Sequence, residues 1–393
     1  MMFFQYMLFA VWWVPLAAYL AGMGLSRTLS SLILSSMAIG CMASPLVGMI
    51  ADRYFQGQKV LATTNFIVAI LLVFAGLTRN PVLLFVFLLL AMLFYMPSWG
   101  LTSSITMKHV DSDLFPRIRV FGAIGWVFAS IFSIITVRFM NLDFDGTHLP
   151  FYYAGGVGII AALFNLGLPD TPPPAKGQKA SFIDIMGFRS VKLMKDRNFA
   201  VFIFLSFFAM IPFSMYWSYF SEFLADSGFQ YISLTMNMGQ LLEMFILLTV
   251  PFSIKKFGLR NTMIIGLLAL IIRYATLIFA YGSLQFPMIL ISVLVHGIIF
   301  GYFYLGGQIY IDRKAPEALR SQGQGFIFFV TFGVGLLVGN FVSGEIIRIF
   351  SSGTIDVTYQ WDYIMGITAI LSIICCVAFV IFFKKEDYST IKL

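Results

Sequence analysis

Long apolar runs separated by short polar stretches dominate the chain. Twelve such segments stand out, and each is long enough to cross a hydrocarbon layer of about 30 Å as a helix. Their approximate limits are 3–24, 29–51, 60–78, 82–106, 119–139, 151–169, 199–224, 231–253, 262–281, 285–311, 323–347 and 361–383. Backbone groups in lipid must be paired within their own segment, so helix is the predicted conformation. The pattern predicts an all-α membrane protein with twelve spans.

The basic residues in the polar stretches alternate between the two sides. Twenty of the 25 Lys and Arg residues fall in the loops of one side, and four fall on the other. The positive-inside rule makes the richer side cytoplasmic, and this predicts that both termini lie in the cytoplasm. The longest connection, 170–198, is Pro-rich and then basic, with a surface helix expected near 183–196. The predicted organisation is therefore two six-helix bundles, 1–169 and 199–393, joined by this cytoplasmic linker.

Composition narrows the class of protein further. Apolar residues make up 60% of the 393 positions and charged residues 11%, which excludes a soluble enzyme and a secreted disulfide scaffold. The net charge of +7 comes from short loops between spans, so no nucleic-acid partner is predicted. The chain has no nucleotide-binding loop, no catalytic carboxylate pair and no metal motif. No cofactor or metal is therefore predicted, and a transporter of this kind would need an ion gradient.

The loop between spans 2 and 3 contains a recognisable charged motif. It runs from Gly48 through Ala-Asp52-Arg53 to Gly57 and Lys59. This order resembles the loop 2–3 signature of the major facilitator superfamily. Asp52 lies at a helix end beside Arg53, so the two are predicted to join charge pairs that break and re-form as two bundles move.

Polar residues within the spans are costly and usually face a cavity or a partner. Asn237, Gln240 and Glu243 lie within about 120° of one face of span 8. We expect this face to line a polar cavity, and a buried network joining helices is the alternative. Arg273 in span 9 has no acid nearby in sequence, so a structural pairing role is favoured over substrate contact. Glu345 and Arg348, three residues apart, are expected to form an exposed pair.

Spans 7 and 10 carry further candidates. Four residues of span 10 fall on one face of a regular helix: His296, Phe300, Phe303 and Gly307. A lone histidine is more often a packing residue than a site residue, and both interpretations stay open. Gly297 and Gly301 have the spacing that lets another helix approach closely. In span 7, the residues Ser214, Tyr216, Trp217 and Tyr219 cluster after Pro212.

Four longer stretches are similar to a more specific family. They are Phe94-Tyr-Met-Pro-Ser-Trp-Gly-Leu, Phe115-Pro-Arg-Ile-Arg-Val-Phe-Gly-Ala-Ile-Gly, Gln240-Leu-Leu-Glu-Met-Phe-Ile-Leu-Leu-Thr-Val-Pro-Phe and Ser321-Gln-Gly-Gln-Gly. They resemble the nucleoside–proton symporter family, a branch of the major facilitator superfamily. The resemblance implies a major facilitator fold and cotransport of a nucleoside with a proton by alternating access.

The resemblance also implies a set of substrate-binding residues. Those that carry over directly, or occupy equivalent positions, are Arg119, Trp126, Ser214, Trp217, Gln240, Glu243, His296 and Phe300. His296 stands where the family can carry a tyrosine, and Ser214 and Trp217 stand where amides are expected. Ala123 replaces a hydroxyl residue and Gly301 an acid, so the chain offers fewer polar contacts than the family pattern.

These residues suit a nucleoside chemically. An aromatic ring can stack on the flat base, Gln240 can donate and accept hydrogen bonds, and ionised Glu243 can accept ribose hydroxyls. Arg119 could pair with Glu243, and Glu243 is the most central acid for the coupled proton. The same fold carrying a sugar or glycoside is the close alternative. A multi-span enzyme and a non-transporting sensor are more distant ones. The expected partners are a nucleoside, a proton and lipid, for a monomer in the bacterial inner membrane.

Overall fold

The computed structural model describes residues 1–111, 114–173, 186, 188–316, 319–353 and 357–386. The side chains at five further positions are outside this description: Val47, Ala51, Asp52, Pro116 and Ser321. All structural statements below concern the described residues.

Twelve helical stretches in the described residues are long and apolar enough to span a membrane, which confirms the predicted number. They are Met2–Gly22, Arg27–Ile50, Gly57–Leu77, Pro81–His109, Arg117–Met140, Leu149–Leu166, Arg197–Asp226, Ile232–Phe257, Leu259–Ile278, Gly282–Lys314, Gln322–Ile349 and Trp361–Phe382. We refer to them as spans 1 to 12. The chain is a multi-pass membrane protein, and the orientation of its termini remains a prediction.

Several spans are divided into shorter helices. The α-helices are Met2–Trp13, Leu16–Gly22, Arg27–Leu34, Ser36–Tyr54, Gly57–Leu77, Pro81–Tyr95, Pro97–His109, Phe115–Phe128, Ser130–Met140, Leu149–Leu166, Arg197–Asp226, Ile232–Phe257, Leu259–Ile278, Gln285–Leu294, His296–Ile298, Gly306–Lys314, Arg320–Phe328, Leu336–Ile349 and Trp361–Phe382. Proline explains two of the breaks, at Pro15 in span 1 and Pro97 in span 4, because its ring removes a backbone donor and clashes with the preceding turn.

Two spans contain π-helix. Ile299–Leu305 in span 10 and Phe329–Gly335 in span 11 are π-helical, with α-helix on both sides. Each π turn holds more residues than an α turn, so it shifts the faces of the helix on either side.

The remaining elements are short. The 3₁₀ helices are Phe188–Lys195 and Gly282–Leu284, and two strands, Ser351–Ser352 and Thr358–Tyr359, pair antiparallel. The predicted surface helix near 183–196 is therefore represented by the 3₁₀ helix, while 183–185 and 187 lie outside the described residues.

The chain forms two compact units. Unit 1 contains Met1–Ala180 and Trp217–Asn237, and unit 2 contains Ser181–Tyr216 and Met238–Leu393. The stretch Trp217–Asn237, called the 217–237 segment below, spans the end of span 7 and the start of span 8. It packs with the first six spans in unit 1. The sequence-based boundaries at 170 and 198 remain a prediction about the bundles.

Candidate functional site

Spans 8 and 10 meet closely in unit 2, where a glycine of each helix faces the other. A Cβ atom added to Gly297 would lie 2.6 Å from the Cα of Glu243, and one added to Gly239 would lie 2.7 Å from the carbonyl oxygen of Val293. Only glycine allows this separation. The predicted packing role of Gly297 is thus confirmed, and its neighbour across the contact is the candidate carboxylate itself.

The close contact brings together three predicted site residues, namely Gln240, Glu243 and His296. The side-chain nitrogen Nε2 of Gln240 lies 2.9 Å from Nε2 of His296, and Oε2 of Glu243 lies 3.5 Å from the same atom. The imidazole is 1% exposed, whereas the Glu243 side chain is 12% exposed. Glu243 therefore retains a small accessible surface at the edge of a buried polar group.

Arg273 completes this group from span 9. Its guanidinium Nη2 lies 3.0 Å from Nδ1 of His296, and its Nε donates to the carbonyl of Ser292 at 3.1 Å. The guanidinium carbon lies 3.7 Å from the centre of the Tyr216 ring, so the buried cation rests on an aromatic face. The predicted structural pairing of Arg273 fits these contacts. We call Tyr216, Gln240, Glu243, Arg273 and His296 the His296 cluster.

Two aromatic rings stack on the imidazole of His296. Tyr216 stacks on the imidazole with a centroid distance of 5.2 Å, and Phe300 stacks with a distance of 6.2 Å. Phe300 is partly exposed and is 6.0 Å from Tyr304. Phe300 is therefore the ring of this set best placed to accept a flat ligand.

A small pocket lies in unit 2 between spans 7, 10 and 11. Ser206, Tyr304 and Thr331 contribute hydroxyl groups to its lining. The hydroxyls of Ser206 and Tyr304 have no hydrogen-bond partner among the described residues. Water in this recess would satisfy them.

Asn237 differs from its neighbours on span 8. Its amide accepts from Nε1 of Trp126 at 3.0 Å and donates to the carbonyl of Trp126 and to Oγ of Ser130. Asn237 is 1% exposed. It therefore joins helices within unit 1. The prediction that Asn237 lines a cavity is wrong.

Arg119 and Trp126 both belong to unit 1. Arg119 is exposed, and its guanidinium carbon lies 4.3 Å from the centre of the Tyr6 ring. Tyr6 in turn stacks on Trp99 at 5.7 Å. The predicted pairing of Arg119 with Glu243, which belongs to unit 2, remains a prediction.

The two span 7 candidates make mainly structural contacts. Oγ of Ser214 lies 2.8 Å from the carbonyl of Ile211 and 2.9 Å from Oγ of Ser343, and the residue is buried. Trp217 packs on Trp126 with ring centres 5.8 Å apart, and its Nε1 lies 3.4 Å from the sulfur of Met37. The occupied hydroxyl of Ser214 has little capacity left for a ligand.

The predicted gating residues are described only in part. The side chain of Asp52 lies outside the described residues. Arg53 is partly exposed, and its Nη1 donates to the carbonyl of Met49 at 3.3 Å.

Contacts of the 217–237 segment include a second charged group that the sequence analysis did not find. Nη1 of Arg27 lies 2.6 Å from Oε1 and 2.8 Å from Oε2 of Glu222. Asp145, in the loop before span 6, accepts hydrogen bonds from the hydroxyl and backbone N–H of Ser233 and from the hydroxyl of Ser133. Burial raises the pKa of Asp145 above its ordinary value, and these hydrogen bonds oppose the shift. A loop carboxylate gives no sequence signal of such burial.

Comparison with known proteins identifies relatives along the full chain. The family described as nucleoside H+ symporter matches residues 1–388. YegT of Escherichia coli (strain K12), whose name describes a nucleoside transporter, is 33% identical over 98% of this chain and 93% of its own. The xanthosine permease of the same organism is 26% identical over the whole chain and 96% of its own.

Solved structures agree with this relationship. The crystal structure of the nucleoside transporter NupG has a TM-score of 0.85 and 26% sequence identity, with 98% of each chain covered. The xylose transporter XylE of E. coli, at 12% identity and a TM-score of 0.65, shares the fold. The fold is thus the major facilitator fold, as predicted.

Proposed function

The chain belongs to the nucleoside H+ symporter family, and we propose that it moves a nucleoside and a proton together, with Glu243 as the proton-carrying group. It is a membrane transporter and not an enzyme. Alternating access exposes the site first to one side of the membrane and then to the other. The bacterial inner membrane and a monomeric state are further parts of the proposal.

The observation that carries the proposal is the setting of Glu243. A carboxyl group in a membrane span is costly and is usually retained for function. Glu243 lies 3.5 Å from His296, a looser contact than a regular hydrogen bond, and its side chain is 12% exposed. A carboxyl group in this setting can accept a proton or a ligand hydroxyl at the partly exposed edge of the His296 cluster.

The neighbours of Glu243 suit a nucleoside. Gln240 can donate and accept, which matches the polar edge of a base or a ribose hydroxyl. Phe300 offers a partly exposed ring on which the base can stack. We propose that Arg119, Trp126, Ser214 and Trp217 also act in substrate binding. A sugar would use the hydroxyl-binding groups but would gain little from Phe300.

We propose that Asp52 and Arg53 act in gating. They lie at the end of span 2, on the side predicted to be cytoplasmic, where charged residues can re-pair as the bundles move. Neither residue is needed to form the His296 cluster in unit 2.

The test is uptake into proteoliposomes that contain the purified protein. With an acidic exterior, we expect labelled uridine to accumulate, and unlabelled nucleosides to compete better than sugars. Glu243→Gln should lose accumulation driven by the pH gradient but retain exchange of uridine for uridine, because exchange needs no net proton movement.

Glu345→Gln is the matched control, since Glu345 is an exposed glutamate paired with Arg348. It should accumulate uridine as the parent does. Gradient-driven accumulation by Glu243→Gln would exclude Glu243 as the proton carrier. Competition by sugars and not by nucleosides would overturn the proposed substrate class.

A further inference from the structure

We infer that Arg273 is a positioning residue that fixes His296 in one tautomer, with its hydrogen on Nε2. His296 then acts as a permanent hydrogen-bond donor toward Gln240 and Glu243 and does not carry the coupled proton. The inference deepens the proposed function, because it assigns separate tasks to the two titratable side chains at the site.

The first step follows from the chemistry of the guanidinium group. Arginine has only donors, so the 3.0 Å contact of its Nη2 with Nδ1 of His296 requires an unprotonated Nδ1. A neutral imidazole carries its hydrogen on the other nitrogen. While this contact lasts, Nδ1 cannot bind a proton.

The second step is that Arg273 itself is held firmly. It is 0% exposed, it donates to the carbonyl of Ser292, and its charge lies over the ring of Tyr216. The same Tyr216 ring stacks on His296. One aromatic ring therefore orients both members of the hydrogen bond, and neither is free to turn away.

The third step concerns the groups that face Nε2–H. The side-chain nitrogen of Gln240 lies 2.9 Å away, and because two donors cannot pair, this tautomer requires the amide to be turned over so that its oxygen faces the ring. Its NH₂ group is then directed elsewhere and can donate to a ligand. Oε2 of Glu243, at 3.5 Å, lies at the limit of hydrogen bonding and keeps its capacity for a proton.

The charged groups of Arg273 and Glu243 lie on opposite sides of the imidazole, which agrees with this tautomer. No carboxylate among the described residues is in hydrogen-bond contact with Arg273; the imidazole lies between its charge and Glu243. Ionised Glu243 is thus attracted to a cation that it does not touch. Protonation of Glu243 therefore does not break a hydrogen bond to Arg273.

The direct test is ¹⁵N NMR of histidine-labelled protein. The chain has three histidines, and His109 and His148 lie outside the cluster, so a variant with His109→Gln and His148→Gln leaves a single signal. We expect ¹⁵N shifts of the Nε2–H tautomer from pH 8 down to pH 5. A ring with hydrogen on Nδ1, or one that becomes doubly protonated in this range, would overturn the inference.

Arg273→Met should release the ring, which then populates both tautomers or takes up a second proton. If Arg273→Met does not fold, Arg273→Gln serves instead, because its amide can either donate to Nδ1 or accept from Nδ1–H and so imposes neither tautomer. Unchanged shifts in the variant that folds would show that Arg273 does not set the tautomer.

A double-mutant cycle tests the consequence for transport. A phenol hydroxyl is a donor that needs no tautomer to be chosen, so His296→Tyr removes the need for Arg273 in this role. We expect Arg273→Met to lower kcat/KM for uridine uptake about tenfold in the parent, as for a lost hydrogen bond to a charged group. In the His296→Tyr background the loss should be clearly smaller.

Equal losses in both backgrounds would make Arg273 a structural residue only. The two proposals fail separately. An Nε2–H ring in a protein that moves no nucleoside would overturn the proposed function and leave the tautomer assignment intact. Uridine symport by a protein whose His296 ring titrates freely would overturn the tautomer assignment and leave the proposed function intact.

Discussion

Glu243 and Glu222 both lie within membrane spans, yet their surroundings differ. In the His296 cluster of unit 2, Glu243 meets an imidazole at 3.5 Å and keeps some exposure. In the 217–237 segment of unit 1, Glu222 is in direct contact with Arg27 at 2.6 Å and its side chain is 3% exposed. The imidazole of His296 lies between the first carboxylate and Arg273, and the second carboxylate is in direct contact with Arg27.

The difference indicates two uses of buried charge. A carboxylate in a tight ion pair is expensive to separate from its partner, which suits a contact that holds elements together. A carboxylate that is partly exposed beside a neutral imidazole can exchange a proton, which suits coupling. The spacing between charges, more than their presence in a span, distinguishes the two.

Gly297→Ala should have the largest effect on uptake, because it forces apart the two helices that form the His296 cluster. Its added Cβ would meet Glu243 Cα at 2.6 Å, so spans 8 and 10 must separate. We expect uridine uptake to be nearly abolished and the protein to be destabilised by about 1–3 kcal/mol, as for overpacking. Gly156→Ala, where an added Cβ meets no described atom within 4 Å, is the control and should resemble the parent. Normal uptake by Gly297→Ala would show that the close contact is not needed.

Removing one partner of the Arg27–Glu222 pair should have the largest effect on stability. Arg27→Gln leaves Glu222 buried without its cation, and breaking a buried pair costs about 3–5 kcal/mol. The melting temperature of the detergent-solubilised protein should fall clearly. Adding Glu222→Gln should recover much of the loss, because two amides can pair without charge. A double variant as unstable as Arg27→Gln would contradict the ion-pair account.

Asp145→Asn should have a smaller, pH-dependent effect. Since burial raises the pKa of Asp145, protonation favours the folded contact. This stabilisation is fully present below about pH 4, the ordinary range for aspartate, and is lost as pH rises through the raised pKa. The melting temperature should therefore change less with pH in Asp145→Asn, by about 1–2 °C. Identical pH profiles for variant and parent would remove Asp145 from the account.

Glu345→Gln should have the smallest effect of all. Glu345 and Arg348 form an ion pair in which both side chains are more than half exposed, as predicted from their spacing. Water screens such a pair, so we expect no measurable change in melting temperature or uridine uptake. A clear loss of either would mean that the roles of Glu222, Glu243 and Glu345 do not differ in the way that their exposure indicates.

Sequence patterns predicted the spans well because lipid imposes one rule on every segment: its backbone must be satisfied internally. They also grouped Gln240, Glu243, His296 and Phe300 correctly in unit 2, since these residues fall on two helices and the family pattern relates them. The close approach of spans 8 and 10 at Gly297 was also predicted, because it depends only on the small size of the residue at that position.

Contacts between distant segments could not be derived in this way. The pairing of Arg273 with His296 depends on how spans 9 and 10 are turned toward each other, and neither apolar sequence records that rotation. The burial of Asp145 depends on Ser233, which is 88 residues away. Asn237 shares a helical face with Gln240, but Trp126 and Ser130 occupy its amide.

The alignment of His296, Phe300, Phe303 and Gly307 on one face was only partly right. His296 and Phe300 stack, but Phe303 packs on Phe379 at 5.8 Å, and an added Cβ on Gly307 would lie 2.7 Å from Phe202. The π-helix Ile299–Leu305 lies between them, and counting by the α period fails across it.

This π-helix also sets the rotational register of span 10. If the stretch Ile299–Leu305 rewound to α-helix with all of its residues retained, the part before it would turn by roughly 100° relative to the part after it, because each α residue turns farther than each π residue. His296 would then rotate away from Arg273 although both residues were still present. In this span, the winding of the backbone matters as much for the site as the identity of the residues.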